Sequence, residues 1–187
     1  MTGSDLHDRL RRVRALVLDV DGTLTDGSIL IDDLGHETKR FDVRDGLGLE
    51  LLRRAGYSAA VVTGRRGLAL DHRLRELKIT VALQSVMDKA RGFADAAAQL
   101  SVPMQSCAFM GDDLPDLAAM QCAAVACAPA DAAAEVCAAA HVVTRARGGF
   151  GAVREFIETV LKAQGKWGAI VDGLAAERST QSAHTGA

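Results

Sequence analysis

The sequence predicts an α/β fold: a Rossmann-like open parallel sheet with helices on both faces and a minimal β-hairpin cap. Three observations lead there. Short apolar runs alternate with longer stretches of helical spacing through most of the 187 residues, the pattern of repeated strand–helix units. Hydrophobic content is 49% with only 4% aromatic, so the core is built from Ala, Val and Leu, which suits buried parallel strands against Ala-rich helices. The polar motifs fall at or just past the C-terminal ends of predicted strands, the edge where open parallel sheets bind ligands.

The elements follow in order. Val13 to Val20 reads as a strand running into "DVDGTLTDG". Ser28 to Ile31 and Glu37 to Phe41 flank the turn "DDLG" and predict a β-hairpin. Leu47 to Ala55 has helical spacing and stops at Gly56. Ser58 to Val62 is a strand ending at Thr63-Gly64-Arg65, Leu68 to Leu77 a helix, Ile79 to Leu83 a strand and Met87 to Leu100 a helix. Ser106 to Met110 is a strand entering "GDDLPDL", and Leu114 to Met120 a helix whose first turn accommodates Pro115. Ala123 to Cys127 (strand), Ala130 to Ala139 (helix), His141 to Val143 (strand) and Gly151 to Ala163 (helix) complete the pattern. The length predicts one domain: an N-terminal lead over 1–12, a core over 13–163 with a hairpin insert at about 25–45, and a tail over 164–187 that is partly disordered.

Composition excludes several classes. The net charge is −2 and the pI about 6.2, with no basic patch of the kind nucleic-acid binders carry. No apolar run has membrane-spanning length and no signal-peptide core precedes the first strand, so a cytoplasmic protein is expected. Cys107, Cys122, Cys127 and Cys137 form no C-x-x-C pair and read as free, buried thiols rather than zinc ligands.

The fold would gather distant residues into one crevice: Asp19 and Asp21 from the first strand, Thr63 and Gly64 from a second, Asp112 and Asp113 from a later one, and Lys89 from the helix after Leu83. Asp19 and Asp21 alone leave three possibilities: a bound cation, one protonated aspartate, or a solvated strand end. Several carboxylates converging on one point favour a hard divalent cation such as Mg²⁺, which takes few protein carboxylates and keeps waters and phosphate oxygens. A hydroxyl and a lysine supply what a phosphoryl group needs. The set reads as phosphoryl transfer, with one aspartate available as a covalent nucleophile.

Asp19-x-Asp21-Gly22-Thr23, Thr63 after an apolar strand, Lys89, and Gly111 to Asp116 as G-D-D-x-x-D occur in the order and spacing that resemble the haloacid dehalogenase superfamily of phosphatases. The resemblance implies that Asp19 is the nucleophile forming an aspartyl-phosphate and that Asp21 is the general acid and then the base. It implies that Thr63 and Lys89 hold the phosphoryl group. Asp19, Asp112 and the backbone carbonyl of Asp21 would hold Mg²⁺, with Asp113 and Asp116 supporting. "DVDGTLTDG", "FDVRDGLG", "TGRRGLALDHR" and "RGGFGAVREFIETVLKAQGKW" further resemble the 3-deoxy-D-manno-octulosonate 8-phosphate phosphatases over nearly the whole chain. That narrower likeness implies a sugar-acid phosphate as substrate, in the lipopolysaccharide precursor pathway. It implies a homotetramer whose neighbouring subunits complete each site. Arg44, Asp45 and Gly46 would lie in a substrate loop, and Gly64, Arg65 and Arg73 would also bind substrate, the arginines through phosphate or carboxylate.

Two positions depart from that pattern: Ser85 and Val86 stand where the family often has a glycine before the lysine, and Phe150 stands where its "GG-[KR]-G" has a cation. A nine-carbon sugar acid 9-phosphate is the alternative substrate. Two other classes compete. A receiver-like phosphoacceptor domain would place its acidic pair on the first strand and its lysine near the end, whereas here "GDD" follows Lys89. A non-catalytic structural subunit would not need the full polar set.

Overall fold

The first strand of the sheet, β1 (Ala15–Leu18), is buried along its whole length, and its side chains divide by the twofold alternation of a strand. Leu16 and Leu18 point into one core and Ala15 and Val17 into the other. The same division runs through β4 (Ser58–Val62), β6 (Cys107–Met110) and β7 (Val125–Ala128). With β5 (Val81–Leu83) and β8 (Val142–Val143) these form a six-stranded, all-parallel sheet in the order β5-β4-β1-β6-β7-β8. The structure is a computed structural model and describes residues 3–184.

Helices cover both faces. On one lie α1 (Gly3–Arg12), α2 (Val43–Arg54), α3 (Leu68–Glu76) and α7 (Ala152–Ala163), which bury Leu10, Leu49, Leu52, Leu70, Phe156 and Ile157 among others. On the other lie α4 (Lys89–Gln99), α5 (Leu117–Cys122) and α6 (Ala134–Ala139), which place Ala96, Ala97 and Ala119 beside Phe93, Met120 and Val136. Small side chains let these helices sit close. The bulk they lack is supplied by Phe93 against Phe109, whose rings meet edge to face at 5.8 Å. A two-stranded antiparallel hairpin, β2 (Leu30–Ile31) with β3 (Glu37–Thr38), stands outside the sheet after β1.

The fold class and the sheet are as the sequence predicts; several boundaries differ. The predicted helix over 114–120 divides into a tight 3₁₀ turn at Leu114–Asp116 and then α5, because Asp113 and Asp116 close a capping box around Pro115. The lead over 1–12 carries α1, packed against α7 and β7. The stretch expected to be a partly disordered tail carries α8 (Trp167–His184); residues 185–187 lie outside the described residues. Among the cysteines, Cys107 and Cys127 are buried and Cys137 half-buried, but Cys122 is exposed, as its place at the end of the short α5 dictates. No helix among the described residues is long and apolar enough to cross a membrane.

Two features lock the loops beneath the sheet edge. The glycine-rich turn before α7 runs so close to the loop after β1 that a side chain at Gly148 would strike the Gly22 carbonyl. Its amides are already used: Gly149 N–H donates to the Thr23 carbonyl at 3.0 Å, and Gly148 N–H to Asp131 at 2.8 Å. The N-terminus of α7 begins at Gly151, which has no side chain to cap it. Asp45, reaching across from α2, replaces the missing cap: its two oxygens accept from Gly151 N–H (3.2 Å) and Arg154 N–H (2.8 Å). Burial pushes the Asp45 carboxyl up to about 6 even though both amides favour the charged form.

Asp45→Ala would leave two amides and the first turn of α7 without an acceptor. It is expected to lower unfolding free energy by about 1–3 kcal/mol, read as a lower denaturant midpoint at unchanged m-value.

Candidate active site

The chain builds β1 first, then β4 and β5 on one side of it, then β6, β7 and β8 on the other. The sheet order therefore reverses between β1 and β6, and the crevice of an open α/β sheet opens at that point. Asp19 leaves β1 and Asp112 lies just past β6, the two strands flanking the reversal. Thr63 leaves β4 on the other side of β1. A cavity of about 400 Å³ lies there, lined by Asp19, Asp21, Thr63, Gly64, Arg65, Lys89, Asp112, Asp113 and Asp116 with apolar Val86, Met87 and Pro115.

Carboxylate oxygens of Asp19, Asp112 and Asp116 all lie within 4.8 Å of one another. Lys89, at the first turn of α4 and almost fully buried, donates to Asp19 at 2.6 Å and to Asp116 at 2.8 Å. Burial works against its charge, but the two carboxylates outweigh that and raise its pKa. Burial, with the Asp116 charge, pushes Asp19 up to about 6 despite Lys89. Burial and the Asp19 charge push Asp112 up to about 7. One ammonium among three carboxylates, two buried and one half-buried, leaves an excess of negative charge, and the donors are all hard oxygens. This fits a divalent cation such as Mg²⁺.

The three acids are not equivalent. Asp116 has its oxygens engaged: one on Lys89, the other accepting from the backbone N–H groups of Asp112 (3.0 Å) and Asp113 (3.4 Å). It shapes the loop that presents Asp112. Asp113 caps the turn through the Leu114 N–H at 2.8 Å. Asp112 has one oxygen held by the Thr23 hydroxyl at 3.0 Å. Gly22, at φ +87°, lets the loop after β1 pass against the Asp112 carboxylate, where a Cβ could not fit. Thr63 is buried, its hydroxyl oxygen accepting the Arg65 N–H at 3.3 Å.

Asp21 stands apart from this cluster. Its side chain is held by Lys39 of the hairpin through an ion pair, with Arg65 at 3.5 Å on its other oxygen. Lys39 also reaches Glu37 at 2.9 Å, and Glu37 takes Arg65 at 2.9 Å, so four alternating charges close a ring at the cavity mouth. Neither Lys39 nor Glu37 belongs to a motif. Only the hairpin's folding over the strand end reveals them.

Four residues expected at the substrate lie elsewhere. Arg44 forks onto Asp42 (2.7 Å) and donates to the Phe150 carbonyl (2.7 Å), facing a separate cavity with Arg145 and Arg154. Asp45 caps α7, as described above. Gly46 and Arg73 line a third depression, where Arg73 pairs with Glu76 (2.8 Å), donates to the Asp42 carbonyl (3.3 Å) and lies over Phe41. These groups join α2 to α3 and α7, so their polar atoms serve the scaffold of this subunit.

The site is thus a sheet-edge constellation of paired acids, a hydroxyl and a lysine, and comparisons with known proteins place it in a class. Residues 83–157 match the model of the haloacid dehalogenase-like hydrolases. The chain is 39% identical over 162 residues, 87% of each chain, to the 3-deoxy-D-manno-octulosonate 8-phosphate phosphatase KdsC of Yersinia pestis. It superposes with a TM-score of 0.89 and 35% identity on the corresponding phosphatase of Moraxella catarrhalis, covering 92% of this chain and 99% of that one. The latter structure is a complex with magnesium ion, phosphate ion and KDO. The cobalt-bound enzyme of Haemophilus influenzae gives a TM-score of 0.83 at 36% identity, covering 85% and 93%. The chain belongs to the haloacid dehalogenase-like phosphatases, a class of phosphoric monoester hydrolases. Within that class it belongs to the 3-deoxy-D-manno-octulosonate 8-phosphate phosphatase family.

The raised Asp19 and Asp112 pKa values make a stability prediction for the metal-free protein. Between the unfolded value near 3.8 and the folded values of about 6 and 7, the native state binds protons that the unfolded state does not. Stability therefore falls as pH rises through that window. Thermal melts in chelator are expected to show a midpoint that drops as pH rises from about 4 to about 7 and levels off above it, and Asp112→Asn is expected to flatten the drop.

Proposed function

We propose that this chain is an Mg²⁺-dependent phosphatase that hydrolyses 3-deoxy-D-manno-octulosonate 8-phosphate to KDO and phosphate through an aspartyl-phosphate on Asp19. The observation that carries the proposal is the Asp19–Lys89–Asp116–Asp112 cluster at the sheet reversal: a buried carboxylate beside an ammonium, with the Asp112 carboxylate close by. The named likeness of the relatives supports the choice of substrate.

Asp19, Asp112 and the backbone carbonyl of Asp21 would hold Mg²⁺. When bound it offsets the carboxylate repulsion and polarises a phosphoryl oxygen. One Asp19 oxygen attacks phosphorus as the bond to the sugar oxygen breaks, and Asp21 gives its proton to that leaving oxygen. Asp21, now a carboxylate, takes a proton from the water that attacks the aspartyl-phosphate, releasing phosphate and restoring Asp19. Thr63, the Gly64 amide and Lys89 hold the phosphoryl oxygens, with Lys89 shifting its donation from Asp19 to the incoming charge. Asp113 and Asp116 keep Asp112 in place. Arg65, at the mouth, is the guanidinium suited to the sugar acid's carboxylate.

We infer a homotetramer in the cytoplasm. The hairpin supports self-association: Ile29, Leu30, Ile31 and Leu34 are all more than half exposed, an apolar surface that a second copy would cover. Free thiols at all four cysteines suit a reducing compartment.

Phosphate release is expected from the eight-carbon substrate with Mg²⁺, to stop with chelator, and to be much slower from a nine-carbon 9-phosphate sugar acid. Asp19→Asn is expected to keep the fold yet to abolish turnover. Equal rates on both sugar acids would overturn the substrate assignment, and an active Asp19→Asn would overturn the nucleophile.

A further inference from the structure

The hairpin carries a charged device that the phosphatase motifs do not include. Just past its second strand, neighbouring side chains point opposite ways. Arg40 points to the scaffold, where it forks onto Asp26 (3.1 and 2.9 Å) and stacks on the Phe150 ring with its guanidinium carbon 4.1 Å from the centroid. Lys39 points the opposite way, onto Asp21 and Glu37, with its side chain only 4% exposed. The base of the hairpin is thus pinned by Arg40 between an acid and an aromatic ring, and pinning it aims Lys39 at the cavity mouth. An ammonium on so long a stem is not buried without cost, and the two carboxylates are what hold it there.

Lys39 meets a single oxygen of Asp21, Oδ1. Arg65 approaches the other, Oδ2, only at 3.5 Å. Glu37 shares the Lys39 charge, so that Lys39 fixes the carboxyl's rotation without pairing with it alone. The geometry points to Lys39 as a positioning residue: by occupying Oδ1 it fixes the rotation of the Asp21 carboxyl at the cavity mouth, and so its aim at the leaving group. Glu37 and the Arg40–Phe150 stack hold Lys39 in register. The inference rests on Asp21 as the proton donor, and it gives Phe150 a purpose: in place of a cation it offers the face on which Arg40 stacks.

The test is the dependence of kcat/KM on leaving-group basicity across a graded series of substituted phenyl phosphates with Mg²⁺, for the wild type, Lys39→Met, Lys39→Arg and Asp21→Asn. kcat/KM reports the first phosphoryl transfer, and an overall loss of binding or stability would shift every ester equally. Lys39→Met is expected to steepen the dependence: roughly tenfold or more is lost on the most basic leaving group and little on nitrophenyl phosphate, within the range general acids contribute. Lys39→Arg recovers part of the slope, and Asp21→Asn is steeper still. A Lys39→Met slope equal to wild type beside a steep Asp21→Asn would overturn the positioning role and leave the acid assignment standing. A wild-type slope in Asp21→Asn would overturn both.

Discussion

Three carboxylates within 4.8 Å, two of them buried and one half-buried, answered by one lysine, is the arrangement on which the rest of the molecule depends. Burial first, and the neighbouring carboxylates second, push Asp19 and Asp112 above the usual carboxylate range. The scaffold holds the arrangement by spending groups elsewhere. Asp116 is fixed by two backbone amides and Lys89, Asp112 by the Thr23 hydroxyl and the passage of Gly22, and the Thr23 carbonyl by Gly149. The turn before α7 is in turn anchored by Asp45 from α2. A chain of hydrogen bonds thus runs from a helix cap on one face of the sheet to the carboxylates at its edge.

The sheet was legible because its signal is strong. Apolar runs buried on both faces leave little choice but a parallel sheet, and β4 falls on the residues its pattern marks. The acids, Thr63 and Lys89 were legible because each sits at a strand end or helix start, where chain order alone fixes direction. The same logic does not reach Arg44, Asp45, Gly46 and Arg73, which lie outside the sheet-edge cavity of their own subunit. A charged residue near a glycine in an early helix reads the same whether it binds a ligand or another helix, and only the approach of α2 to α7 and α3 distinguishes them. Lys39 and Glu37 were illegible for a different reason. The fold of a short hairpin over a distant strand end is a tertiary fact without a local periodicity.

The two departures from the family pattern have separate physical accounts. Ser85 adopts φ +59°, the left-handed conformation that glycine enters without penalty, so this chain tolerates a side chain where the backbone favours none. The next amide, Val86 N–H, still donates to the Thr63 carbonyl at 3.0 Å, which keeps the turn into Lys89 closed. Phe150 exchanges a charge for a ring that Arg40 and Arg147 both approach. The first departure bears on local strain beside the phosphoryl site, the second on how firmly the hairpin is held over it.

The central claim is that Asp19 takes the phosphoryl group before water does. Each in-line displacement inverts phosphorus, so the stereochemical course counts the transfers. Hydrolysis of a phosphorothioate monoester made chiral with two oxygen isotopes, in water of the third isotope and with Mg²⁺, is predicted to give chiral inorganic thiophosphate with net retention of configuration. Net inversion would mean that water attacks the substrate directly, and would contradict the account of the Asp19 carboxylate and of the cluster built to present it.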